Sequence, residues 1–182
     1  MPTRIHARLS SLFPEFAEVL GSRPDEPYLV EHVLPPTTDE AIRELEGDIG
    51  VPLPDSYKDL LTLCRGFWLA GGMVQLGSEH PFFHQFPPLD QLSPRQRSVV
   101  AQRGGSWPPP SQGMLCFAEY FVEADGDQVL WDVAAGLKDG EYPVYYYSHE
   151  SSPPTVRQIA PGFREWLAGC LEPFPPADGE EE

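Results

Sequence analysis

The apolar residues of this chain change their spacing partway along it, and that change limits the possible folds more than any other feature. Through the first third they recur every three or four residues, the period of an amphipathic helix. Ile5, Leu9, Leu12, Phe13, Phe16, Val19 and Leu20 predict a helical opening that Pro14 breaks or restarts. Thr37 and Glu40 stand at capping-box spacing behind Pro35 and Pro36, with acids in the first turn. They predict a second helix with Ile42, Leu45 and Ile49 as its apolar stripe and Gly50 as its end. A further helix is expected almost at once, with Pro54 at its first position and Tyr57, Leu60, Leu61 and Cys64 on one face before Gly66.

The second half reads differently. MVQL at 73–76 is a candidate short strand, followed by an aromatic, proline-bearing loop, a helix from Ser93-Pro94 to about Ala101, and a break at GGSWPPPSQG. MLCFAEYFVEA and QVLWDVAA are β-forming runs around an Asp125-Gly126 turn, and YPVYYYS is a third. A brief strand over TVRQIA and a closing helix with Phe163, Trp166, Leu167 and Cys170 on one face complete the pattern. Helices first, antiparallel strands next and a helix last define an α+β domain rather than a βαβ sheet. The 182 residues suit one such domain. We expect a helical extension over 1–33, the main domain over 34–172 and an acidic, frayed tail over 173–182. Proline, at 22 residues, is more than twice as common as the usual ~5%, so long irregular connections are expected.

Charge narrows the function classes. The formal net charge is −16, which opposes contact with phosphate backbones and anionic lipid, so neither nucleic acid nor membrane is an expected partner. No apolar run reaches the ~20 residues of a membrane span, and the first residues do not read as a secretory signal, so a cytoplasmic location is expected. Cys64, Cys116 and Cys170 are odd in number, far apart and set among apolar neighbours, as reduced core cysteines are. Asparagine is absent and only two lysines accompany ten arginines, a bias that fits a bacterium with a GC-rich genome.

The segment Ile42-x-x-Leu45-Glu46-x-x-Ile49-Gly50-x-x-Leu53-Pro54-x-x-Tyr57-x-x-Leu60-Leu61-x-x-x-x-Gly66 resembles the opening motif of the SUKH superfamily, which includes the Smi/Knr cell-wall assembly regulators of fungi. Gly126-Asp127 before a strand ending in Trp131-Asp132, and the terminal Phe163-x-x-Trp166-Leu167, fit the same pattern, so the resemblance spans roughly residues 36–171. It implies an α+β fold with a mainly antiparallel β-sheet flanked by helices. It also implies a non-enzymatic protein-binding role: most bacterial members are immunity proteins that neutralise toxins, many of them nucleases, whereas fungal members are signalling scaffolds. The N-terminal extension and proline-rich middle depart from a compact member, and family likeness does not define the partner.

Candidate chemistry is sparse. Asp125, Asp127 and Asp132 lack the remaining ligands of a calcium loop, with Gly136 where a closing Glu would stand, so they read first as turn formers and no metal is expected. His80 and His84 have i, i+4 spacing, but Pro81 opposes the helix that would align them. The chain holds no GxSxG, P-loop or GxGxxG motif, and neither catalysis nor a cofactor is expected. Arg95, Arg97 and Arg103 read as a solvated helix face. Tyr145, Tyr146 and Tyr147 alternate faces on a strand, so a sheet with one solvated side would expose at least one. A nuclease toxin must be positive where it holds phosphates, and an acidic protein meets it with a complementary potential. High net charge also serves plain solubility. The partner-contact candidates are Glu119, Glu123, Asp125, Asp127, Asp132 and Tyr146. Leu45, Leu60, Leu61, Phe117, Trp131 and Trp166 are the core candidates. A regulatory scaffold and a small-ligand-binding domain are the alternative roles.

Overall fold

The computed structural model describes residues 3–23, 30–69, 74–76, 114–120, 127–148 and 155–172. Two helices open the chain, α1 (Thr3–Leu12) and α2 (Pro14–Gly21). Phe13 between them leaves the helical region, and Pro14 restarts the helix where its missing N–H costs nothing. After the short strand β1 (Val30–Glu31) come α3 (Asp39–Ile49) and α4 (Asp55–Leu61). Thr38, not Thr37, caps α3. The Ala41 amide donates to Thr38 Oγ1 at 3.2 Å, while the Thr37 amide donates to the Leu61 carbonyl at 3.0 Å and so belongs to the packing of α3 against α4. Gly50 ends the helix at φ 76°, a conformation that glycine adopts without strain. Pro54 precedes α4 as its cap residue instead of forming its first turn.

The remaining strands are β2 (Phe67–Leu69), β3 (Val74–Leu76), β4 (Met114–Tyr120), β5 (Asp127–Asp132), β6 (Val144–Ser148) and β7 (Thr155–Ala160), and the chain closes with α5 (Phe163–Gly169). Strands β1 to β7 pair in chain order, each antiparallel to the next, as a seven-stranded meander. Each of these runs contains at least one β-branched or aromatic residue, and β6 is made of them but for its last position. Two of the strands, Val30–Glu31 and Phe67–Leu69, have too few residues to show a period of two in the sequence. The expected helix at 93–101, His80 and His84, the arginines Arg95, Arg97 and Arg103, and the 173–182 tail lie outside the described residues.

One face of the sheet carries the main core. Val129, Trp131, Val144 and Tyr146 of the central strands meet Leu9, Phe13, Phe16, Leu45, Leu60, Leu61, Phe163 and Trp166 of the helices. The opening helices are part of this core: Phe13 meets the Phe163 ring edge-on and Phe16 stacks on Phe67. A shift of register between Cys116 and Ala118 puts Phe117 and Ala118 both in the main core, and Phe117 stacks on Trp131 at 4.2 Å. The opposite face holds a smaller cluster of Cys116, Leu130 and Tyr147, with Met114, Tyr145 and Val156 packed against it. Both faces are therefore buried at the centre of the sheet. Of the three consecutive tyrosines, Tyr146 and Tyr147 are buried and Tyr145 is half-buried, so the solvated side that would expose one is absent at β6.

Candidate functional site

The structure separates the candidate contact residues. Asp127 and Tyr146 are 0% and 2% exposed, and the Tyr146 hydroxyl donates a hydrogen bond to Asp127 Oδ2 inside the protein. Alternation along β5 turns Asp127 towards the same side as Val129 and Trp131, which is why an acid read as a surface contact ends up indoors. A buried carboxylate needs such a donor, and a buried tyrosine hydroxyl needs such an acceptor. Both residues are thus withdrawn from the exposed set. Asp132, at the other end of β5, is half-buried and accepts a hydrogen bond from the Ala135 amide at 3.2 Å, capping the short 3₁₀ turn Val133–Ala135. The turn-forming role read from the sequence holds for this aspartate. Glu119 is paired in register with Gln128 on β5. Glu123 and Asp125 lie outside the described residues.

A more tightly built region lies where the β5–β6 connection meets the starts of α4 and α5. The Ser56 amide donates to Glu141 Oε1 and the Phe163 amide to Glu141 Oε2, each at 3.0 Å, so one carboxylate satisfies the first turns of two helices. The Asp55 amide donates to the Gly140 carbonyl at 2.8 Å, and the Tyr142 hydroxyl donates to the Pro52 carbonyl at 3.0 Å. Gly140 has φ 81°, a left-handed conformation that glycine adopts without strain and other residues rarely adopt. On α3, Glu46 Oε1 accepts from the Leu53 amide at 2.8 Å. Lys58 pairs with Asp55 at 2.8 Å and lies 3.8 Å from Glu46. The hydrogen bond to Asp55 is the main cause that raises the Lys58 pKa above its ordinary value. Sequence reasoning missed Glu141 because its partners lie 85 and 22 residues away, and no local pattern marks a cap delivered over that distance.

Exposed acids are spread over the helical side: Asp39, Glu40 and Glu44 on α3, Asp55 at the start of α4, Asp139 in the β5–β6 connection, and Glu165 on α5. Among the described residues no group of three or more His, Cys, Asp or Glu side chains converges as a metal site would. All three cysteines are buried thiols outside any disulfide, as the sequence implied. Burial pushes the Cys64 thiol up to about 12 and the Cys170 thiol higher still, far from the range of a nucleophile at neutral pH. Tyr57 is raised well above its ordinary value by burial, with Cys64 and Cys116 as lesser causes. Among the described residues no helix is long and apolar enough to cross a membrane.

An α+β domain with an antiparallel sheet, helices gathered on one face and an acidic helical surface is the class of protein these features define. Residues 36–169 match the model of the SMI1/KNR4 family (SUKH-1), and the chain belongs to that family. The matched span runs from just before α3 to the end of α5, as the sequence motifs implied. No curated protein matches the chain.

Proposed function

We propose that this protein is a non-enzymatic, cytoplasmic binding module that neutralises a cognate protein toxin, a basic nuclease domain being the partner its charge suits. Family membership across residues 36–169 carries the reading, since the family is known for protein–protein interaction. The net charge of −16 supports it physically: a surface of one sign steers a partner of the other and speeds encounter in a salt-dependent way. Asp132, Glu119, Glu123 and Asp125 remain the proposed contacts. Asp127 and Tyr146, buried and bonded to each other, are not among them.

The test is affinity capture by the tagged protein from lysate of its own species at low salt, with stoichiometry from mass spectrometry. Immunity predicts one dominant secreted protein, held through a toxic C-terminal domain in a complex that weakens as salt rises. Recovery of several resident signalling or envelope proteins overturns immunity in favour of a scaffold of the Smi/Knr type.

A further inference from the structure

The sheet ends on two unlike edges. At one, β1 has only Val30 and Glu31, carries an acid, and is followed at once by His32, whose φ of 49° lies in the left-handed region. Shortness, charge and a kink are the usual guards against addition of a foreign strand. At the other, β7 runs for six residues, Thr155–Ala160, and among the described residues has a strand neighbour on one side only. It contains no proline, lysine or acid. Its single charge, Arg157, lies over the Tyr146 ring of the neighbouring strand, 5.6 Å from the centroid. Gln158 is exposed, and Val156 and Ile159 are half-buried. A six-residue edge with no proline, lysine or acid, whose one charge lies over the neighbouring strand, is a template for a further strand.

We propose that β7 pairs antiparallel with β7 of a second copy of this chain, about a twofold axis through Gln158, so that two sheets continue into one. An axis perpendicular to the sheet keeps opposed residues on the same face, so the residue on the axis meets itself. An axis through Arg157 sets two guanidinium groups directly opposite each other, which destabilises a pair. With the axis at Gln158, whose Nε2 donates to the Ala160 carbonyl at 3.3 Å, the side-chain amide still has its second N–H and its Oε1 to offer to its own copy. Arg157 then faces Ile159, Val156 faces Ala160, and no like charges oppose. A strand from a basic partner suits this edge less, because the one charge it meets is Arg157. The proposal stands apart from the toxin reading and predicts the opposite response to salt. Two copies each at −16 repel, so screening tightens self-association, whereas it weakens binding to a basic partner.

Sedimentation velocity on the full chain, up to about 200 μM where a micromolar dimer is well populated, is the test. The expected result is a monomer–dimer equilibrium that strengthens with salt. Gln158→Lys and Gln158→Glu, with unchanged circular dichroism, should each weaken it by about fivefold or more by placing like charges on the axis, and an equimolar mixture of the two should restore it. A wild-type chain that stays monomeric overturns the proposal. So does a dimer that both variants leave intact, or a mixture that fails to re-form it.

Discussion

The two faces of the sheet are packed by different means. On one, Trp131 is stacked on Phe117 and struck edge-on by Tyr57 at 4.7 Å, and Phe117 meets Trp166 edge-on at 4.9 Å, so helices and strands interlock through large rings. On the other, Leu130 sits next to Trp131 in sequence but belongs to a cluster whose buried members among the described residues are Cys116, Leu130 and Tyr147. Aromatic contacts add geometric preference to the large area each ring buries, so the first face should hold the fold and the second should matter less.

Adjacent residues on the opposing faces offer the sharpest way to break that comparison. Trp131→Ala should cost about 3–5 kcal/mol in urea unfolding, whereas Leu130→Ala should cost about 2–3 kcal/mol. An equal or greater loss at Leu130 means that the second face carries as much of the fold as the first. Next in size is Glu141→Ala, which frees the Ser56 and Phe163 amides together and should lower stability by about 2–3 kcal/mol. A loss below about 0.5 kcal/mol, the level of an ordinary surface change, would deny Glu141 its double-cap role. Tyr146→Phe leaves the buried Asp127 without this donor and should cost about 1–2 kcal/mol by the same denaturation measurement.

The smallest effect at neutral pH belongs to the buried thiols and grows on the alkaline side. The folded pKa of Cys64 rises from an ordinary 9.0 to about 12, and Cys170 and Tyr57 are raised as well. Between those limits the unfolded chain has lost protons that the folded chain keeps, so stability is fully present below about pH 8.5 and falls as pH climbs towards 12. Urea midpoints measured from pH 8 to 11 should decline, and Cys64→Ser should flatten the decline while lowering stability overall. A midpoint independent of pH across that range would contradict the buried-thiol assignment.

The elements that could be read from the sequence are those whose signal is local. Tyr57, Leu60, Leu61 and Cys64 share a helical face by spacing alone, and all are buried. Phe163, Trp166, Leu167 and Cys170 behave likewise. Strands β4 to β7 were visible as β-rich runs between turn residues. Strands β1 and β2 were not, because two and three residues carry no period, and what marks them is pairing: β1 with β2, and β2 with β3 on its other side. The site was harder to read. Asp125, Asp127 and Asp132 look alike in sequence, yet alternation buries Asp127 beside Tyr146 while Asp132 caps a turn near the surface. Glu141 looks ordinary in sequence, and only the approach of two helix starts gives it a role. The shift of register within β4, which places Phe117 in the main core, is likewise a property of the pairing and not of the string.

The central claim, neutralisation of a toxin by an acidic binding surface, is tested most directly in living cells. The captured partner's toxic domain would be expressed alone, with the wild-type chain, and with a chain carrying Glu119→Lys and Asp132→Lys. The account predicts that the wild-type chain restores growth. The charge-reversed chain, folded by circular dichroism, should protect less, because it associates more slowly with a basic partner. Growth arrest that persists although the wild-type complex forms would contradict neutralisation. Protection by the reversed chain equal to that of the wild type would contradict the role given to these carboxylates.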